Sequence, residues 1–174
     1  MEKEREIERR YLAKFIPHPI FKFSLIEQGY LSFGDNSYLR VRREEHSDTS
    51  ICLKFFKSAF ERYEFNQKIS QSTYEELIKR SMYKVRKYRG YTPFSTTTYP
   101  SIRNIAIDIF SPKLAIVEIE FNFPSTNEDL PSYCGKEVTE DERYSNVSLA
   151  KSGLFWDSDA ATVIQQEAYV KKLQ

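Results

Sequence analysis

Three charged residues near the start of the chain, Glu6, Glu8 and Arg10, fall at every second position. In an extended strand that spacing turns all three side chains to one face, with Ile7 on the other. Two carboxylates and a guanidinium make a poor core. They suit a surface that holds a metal ion beside a phosphate, because carboxylates bind hard cations and guanidinium binds phosphate oxygens. A short charged run alone most often marks a solvated face. Recurrence is what gives this one weight. Arg40 and Arg42 alternate with Leu39 and Val41, and Lys54 lies between Leu53 and Phe55. Arg62, Glu64 and Asn66 alternate with Tyr63 and Phe65, and Lys87 and Arg89 share a phase. Asp108 sits between Ile107 and Ile109, and Glu118 and Glu120 alternate with Val117, Ile119 and Phe121.

These residues lie on segments with strand character, roughly 4–15, 21–33, 37–45, 49–57, 61–69, 83–91, 103–110 and 114–123. Turn-forming residues separate them, among them Pro17 to Pro19, Gly34-Asp35-Asn36, His46-Ser47-Asp48 and Ser111-Pro112-Lys113. Such short connections predict antiparallel hairpins. Ser72-Thr73-Tyr74-Glu75 resembles a capping box and predicts a short helix to about Arg80. Helical character returns over 128–130, 146–151 and 160–173, the last capped by Asp157 or Ser158 and anchored by Trp156. One domain over 1–174 is expected, with a C-terminal helical segment from about 144 to 173.

Two architectures satisfy strands with one charged and one apolar face. In an open sheet the charged face meets water and the apolar face forms the core. In a closed barrel the charged face lines the interior and helices cover the apolar outside. Two features favour the barrel. Single charges interrupt otherwise apolar strands, as in Ala106-Ile107-Asp108-Ile109-Phe110, and the charges segregate. Acids fall on the first and eighth strands, bases on the third, fourth and sixth. A solvated face has no need of that separation, whereas a site that holds a cation beside a polyanion has.

The bulk properties set limits. With 26 Lys and Arg against 25 Asp and Glu, nucleic-acid binding through net positive charge is not expected. Cys52 and Cys134 are too few and too scattered for a disulfide framework or zinc site. The N-terminus is charged and lacks an apolar signal region, and no run reaches membrane-spanning length, so a cytoplasmic protein without membrane contact is expected. His18 and His46 read as turn residues. No Gly-x-x-x-x-Gly-Lys-Ser/Thr loop is present.

The ordered set of motifs resembles the CYTH group, the triphosphate tunnel metalloenzymes. The hallmark Glu-x-Glu-x-Lys of the first strand stands here as Glu6-Ile7-Glu8-Arg9-Arg10. Further matches are Gln28-Gly29-Tyr30-Leu31, Tyr38-Leu39-Arg40-Val41-Arg42, Leu53-Lys54, Arg62-Tyr63-Glu64, Lys87-Tyr88-Arg89, Ile107-Asp108, Val117-Glu118-Ile119-Glu120 and the run from Lys136 to Asn146. The resemblance spans residues 4 to about 151. It implies a mostly β fold, an eight-stranded antiparallel barrel whose tunnel binds a triphosphate with Mg²⁺ or Mn²⁺.

On that resemblance, Arg10, Arg40, Arg42, Lys54, Arg62, Lys87, Arg89 and Arg143 bind the phosphates, with Arg143 pairing Glu142 as its alternative. Glu6, Glu8, Glu118 and Glu120 bind metal, and Glu64 and Asp108 place a second metal or orient a cation. Arg10 and Tyr30 are the candidates for catalysis, Tyr30 by bonding a phosphate or closing the tunnel mouth, or else serving as an ordinary strand aromatic. Two departures stand out. Arg10 replaces the hallmark lysine and cannot act as a base at ordinary pH. Asn66 stands where many members carry a second glutamate. Hydrolysis of inorganic triphosphate or a small organic triphosphate is the leading expectation. An adenylate cyclase and a polyphosphate- or nucleotide-binding module with little turnover are the alternatives. The fold alone does not choose among them.

Overall fold

The computed structural model describes residues 2–45, 47–124 and 129–153. Eight antiparallel strands close on themselves: β1 (Glu2–Ala13), β2 (Phe21–Gly34), β3 (Ser37–Glu44), β4 (Ser50–Phe56), β5 (Glu61–Lys68), β6 (Tyr83–Tyr91), β7 (Ile102–Ser111) and β8 (Leu114–Phe121). Around the ring they run β5-β4-β3-β2-β6-β7-β8-β1, and the pairing of β1 with β5 completes the circle. One edge of β1 is shared. Glu2 to Ile7 oppose Asn66 to Glu61, and beyond them a short β9 (Cys134–Glu137) opposes Tyr11 and Ala13. Along its other edge, Glu8 to Leu12 oppose Glu120 to Ile116. Closure leaves no long free edge on this strand.

The eight strand positions match those expected from alternation and turn residues. β9 was not anticipated, because four residues, Cys134-Gly135-Lys136-Glu137, give too little pattern to read. The helix α1 (Gln71–Lys79) forms as expected, but its cap is Ser70, whose side chain accepts from the Thr73 amide at 3.1 Å. Ser72 lies within the first turn, so the Ser72/Glu75 box does not form. A second helix, α2 (Asn146–Lys151), is capped by Ser145 through the Ser148 amide. Asp129 and Leu130 are non-helical. His46, Glu128, Trp156, Asp157, Ser158 and the expected helix over 160–173 lie outside the described residues.

The main apolar core is on the outside of the barrel. Ile105, Ile107 and Ile109 of β7, Val117 and Ile119 of β8, and Ile7 and Tyr11 of β1 are buried there. Phe15, Ile16, Ile20, Phe94, Tyr99, Leu130 and Tyr133 cover them, all from connecting segments. Among the described residues, this cover is loop, not the helices that a closed barrel was expected to carry. A second cluster forms at one end of the lumen, where Leu149 and Ala150 of α2 pack on Tyr30, Tyr38, Val85, Phe110 and Ile116.

Helix α1 lies against the outer face of β2 at Gly29. A Cβ there would sit 2.2 Å from the Ser81 hydroxyl and 2.4 Å from Ile78 Cδ1. Gly29→Val is therefore expected to push the end of α1 off the barrel and destabilise the protein by about 2 kcal/mol, the usual scale of overpacking. Urea unfolding of the variant beside the wild type measures this, and an unchanged midpoint would refute the close packing.

Candidate active site in the barrel lumen

Antiparallel pairing puts directly opposed residues on the same face of the sheet. Glu8 opposes Glu120, and Arg10 opposes Glu118. Lys54 opposes Glu64 and Tyr38, Tyr30 opposes Arg40, and Arg89 opposes Asp108. The barrel thus gathers nearly all the alternating charges of the sequence into one interior. Arg40, Lys54, Glu64, Lys87, Asp108 and Glu118 are all buried. A cavity of about 540 Å³, lined by Glu8, Arg10, Tyr38, Lys54, Arg62, Thr139 and Asn146 among others, opens beside α2.

Two ion-pair groups fill this lumen. In the first, Arg62 of β5 reaches Glu6 at 2.7 Å, Glu8 through both terminal nitrogens at 2.5 and 3.2 Å, and Glu64 at 3.3 Å. Lys54 pairs with Glu64 and stands 3.6 Å from Glu6, and Arg40 stands 3.7 Å from Glu64. The Cys52 thiol donates to Glu64 at 3.5 Å, which makes it part of the tunnel wall. In the second group, Asp108 accepts from Nε and Nη2 along one edge of the Arg89 guanidinium, both at 2.6 Å, and also pairs with Lys87. Glu118 pairs with Arg89 and lies 4.0 Å from Lys87. Glu64 and Asp108 are thus enclosed by cations. A metal ion beside either would meet like charge.

The electrostatics follow from this crowding. Burial opposes ionisation of Glu6, but Lys54, Arg62 and Arg40 outweigh it and hold the carboxyl at about 2, down from 4.5. Glu118 is likewise held well below the carboxylate range, by Arg89 and Lys87 against the burial penalty. Glu120 moves the other way. Burial raises it, Arg103 opposes that, and Glu6, Glu4 and Glu8 raise it further. Burial lowers Arg42, and the nearby Arg89 and Arg40 lower it again, while Glu44 opposes them from 2.6 Å.

The lumen has two opposed walls. β1 and β8 are neighbours and carry Glu6, Glu8, Glu118 and Glu120. Four places round the ring from β1 is β2, flanked by β3 and β6 with Arg40, Arg42, Lys87 and Arg89. On the β2–β3 side, Gln28 Oε1, the Tyr30 hydroxyl and Arg40 Nε are buried without a hydrogen-bond partner among the described residues. Such unpaired atoms are rare in protein interiors.

No three His, Cys, Asp or Glu among the described residues group as a ready metal cage. The donor set still fits a hard divalent ion. Glu8 faces Glu120 directly across the β1–β8 pairing with Glu6 two residues along, and both carboxylates add to the burial that raises Glu120. In this structure Glu6 and Glu8 are turned to Arg62, and Glu120 to Arg103 at 2.9 Å.

Other expected residues sit differently. Arg143 is 77% exposed and pairs with Asp141 at 2.6 Å, with neither phosphate-facing lumen nor Glu142 as its partner. Arg10 lines the cavity, but its guanidinium donates to the Tyr144 carbonyl at 3.0 Å and the Thr139 carbonyl at 2.8 Å. Tyr30 is fully buried in the aromatic plug, and burial, then Tyr38, pushes its hydroxyl well above 10. His18 is exposed. Two lumen residues were missed. Glu44 lies in phase with Arg42 and was legible as such. Asn146, which accepts from Lys87 at 3.0 Å, arrives from α2 and has no local signal.

No protein-family model matches the chain. An inorganic triphosphatase of Nitrosomonas europaea is 29% identical over 156 residues, 84% of this chain and 97% of that protein. A crystallised inorganic triphosphatase aligns with a TM-score of 0.59 at 28% identity, over 83% of this chain and 93% of its own. A Bacillus halodurans protein provisionally named an adenylate cyclase gives 0.50 at 19% identity, over 71% and 83% of the two chains. The PH1012 protein of Pyrococcus horikoshii gives 0.51 at 17%, over 95% and 93%. At such identities the last two share the fold alone.

Two outcomes test this geometry. Glu6 is held lower in the folded protein than in the unfolded chain, so its contribution is complete above pH 4.5 and is lost as pH falls towards 2. Glu6→Gln should cost about 3 kcal/mol at pH 7, and its gap in melting temperature from the wild type should narrow between pH 4.5 and 2.5. A constant gap on acidification would mean that no such pairing exists. Arg10→Lys should lower the melting temperature, because an ammonium cannot span the Tyr144 and Thr139 carbonyls as a guanidinium does. Equal melting temperatures would remove Arg10 as the tie to the 139–144 segment.

Proposed function

We propose, from a likeness to the triphosphate tunnel metalloenzymes that holds in both sequence and fold, that this chain hydrolyses inorganic triphosphate or a small organic triphosphate in its lumen. The observation that carries this reading is the basic wall of β3 and β6 facing the acidic wall of β1 and β8. Arg40, Arg42, Lys54, Lys87 and Arg89 bind the phosphate oxygens, and Arg62 joins them from β5. Asp108 and Glu64 keep these cations aimed: a bidentate carboxylate fixes the Arg89 plane, and Glu64 fixes Lys54. Phosphoryl transfer depends mainly on such positioning and on charge stabilisation, so the site needs no covalent nucleophile.

The lumen cations Arg40, Arg42, Lys54, Arg62, Lys87 and Arg89 face the carboxylates of Glu6, Glu8, Glu44, Glu64, Asp108, Glu118 and Glu120. With Arg10, which also lines the cavity, these charges balance, so a bare polyanion brings uncompensated charge that an accompanying divalent cation offsets. Glu6, Glu8, Glu118 and Glu120 would hold Mg²⁺ or Mn²⁺, which supplies polarisation of the scissile phosphoryl group and a more acidic water. Gln28 and Tyr30, with their unpaired polar atoms, face the substrate from the basic side.

A second reading, a triphosphate-binding module with little turnover, draws on Arg10. With its guanidinium spent on two carbonyls, β1 offers no base at the hallmark position. Phosphate release from inorganic triphosphate, thiamine triphosphate and ATP, with each metal and with chelator, tests both readings, and product identification with ATP reveals any cyclisation. Metal-dependent release is expected, falling roughly a hundredfold in Arg89→Ala, the usual loss when one charge-stabilising contact is removed. Binding without release under every condition would leave the second reading standing in place of the first.

A further inference from the structure

We propose that Arg62 is a resident counter-ion of the acidic wall, which keeps a divalent cation out of Glu6 and Glu8 until a phosphate chain draws the guanidinium away. The inference rests on the triphosphate reading given above and adds an order of events to it.

Arg62 is the cation turned directly onto the carboxylates of the acidic wall. It stands on β5, next to β1, with Glu6 as its Cα partner across the pairing. Its side chain is turned to the two carboxylates that the hallmark strand supplies, at 2.7 Å and 2.5 Å, with a third bond to Glu64. Burial disfavours its charge, yet Glu8 and Glu6 hold it firmly protonated. A guanidinium bound through three of its nitrogens to two facing carboxylates occupies the lone pairs that an ion would need.

The two claims on Glu6 and Glu8 exclude one another. A divalent ion between these carboxylates would stand within a few ångströms of the guanidinium, and such like-charge contact in a buried site is strongly unfavourable. A polyanion on the basic wall removes the conflict by offering Arg62 phosphate oxygens instead. Glu64, which accepts from Arg62 at 3.3 Å and also pairs with Lys54 and Arg40, gives the guanidinium an anionic partner towards the basic side. Metal and phosphate then bind with positive coupling, each raising the affinity for the other by the same factor.

The experiment measures binding of Mn²⁺ by electron paramagnetic resonance, with and without imidotriphosphate, a chain that resists hydrolysis. Chelation of Mn²⁺ by the free analogue is common to every protein compared and cancels in ratios between them. Wild type should bind Mn²⁺ at least tenfold more weakly than Arg62→Gln when no phosphate is present. The coupling between the two ligands should shrink by a similar factor in the variant. Mn²⁺ should also raise the melting temperature of Arg62→Gln more than that of the wild type, because it replaces the lost countercharge. If Arg62→Gln does not fold alone, recovery of its fold on Mn²⁺ addition supports the proposal. If Mn²⁺ does not recover it, Arg62→Lys, which keeps the charge but loses the fork, should show an intermediate gain in Mn²⁺ affinity. Equal Mn²⁺ affinity in wild type and the folded variant would overturn the proposal. Failure of wild type to bind imidotriphosphate at all would instead defeat the triphosphate reading beneath it.

Discussion

The structure depends on one constraint: charges enclosed by a closed barrel must neutralise one another. Removing ions from water costs several kcal/mol each, and only close pairing with hydrogen bonds returns it. Every buried carboxylate of the lumen accordingly has a cation within reach, as Asp108 has in Lys87 and Arg89 and Glu64 has in Lys54 and Arg62. Such pairing adds little net stability compared with an apolar interior of the same shape. The reason to keep it lies in what the interior holds. On the proposed function, a lumen that exchanges its internal partners for phosphate and metal cannot be built from leucine.

That choice inverts the usual arrangement of a small β protein. With the inside given to charge, β1, β7 and β8 turn Ile7, Ile105, Ile107, Ile109 and Ile119 outward, and the main apolar core forms between the barrel wall and its loops. Phe15, Phe94, Tyr99 and Tyr133 therefore carry much of the burial that stabilises the barrel. Their segments lack regular structure because their task is to cover a curved surface. α2 closes one end with Leu149 and Ala150 and also delivers Asn146 to Lys87, so one short element serves both the plug and the lumen.

The sequence made the barrel legible because charged lumen positions alternate with apolar exterior ones along much of each strand, even though bulges interrupt the register in β2 and β7. Tight turns then marked their limits to within a few residues. It also made the two walls legible, since strand order alone segregates acid from base. The partners of the charges could not be read that way. Arg62 and Glu64 share a strand and a phase, yet one bonds the β1 carboxylates and the other the β4 lysine. Register across the closure of β1 on β5 decides this, and no local pattern encodes register between strands so far apart in the chain. The partners of the Arg10 guanidinium were illegible for the same reason. Its spacing puts it with the phosphate ligands, while the segment that claims its guanidinium, around Thr139 and Tyr144, returns to β1 from more than a hundred residues away.

The position of Arg10 bears on how the end of the lumen is built. Its backbone amide donates to the Thr139 hydroxyl at 3.0 Å, its carbonyl accepts from the Val138 amide at 2.8 Å, and its side chain spans to the Tyr144 carbonyl. A single residue of the hallmark strand thus fixes both ends of the segment that leads into α2. A lysine could hold one of those carbonyls, but not both in a fixed plane. Replacing lysine with arginine at this position gives up a titratable group and gains a rigid tie. Glu6 and Glu8 are then left turned to the cations of the lumen. With no ammonium on β1 beside them, the nearest cations able to answer these carboxylates are Arg62 and Lys54. The arginine of β5 therefore lies where the acidic wall would otherwise be uncompensated, which is the arrangement that a closed, charged interior requires.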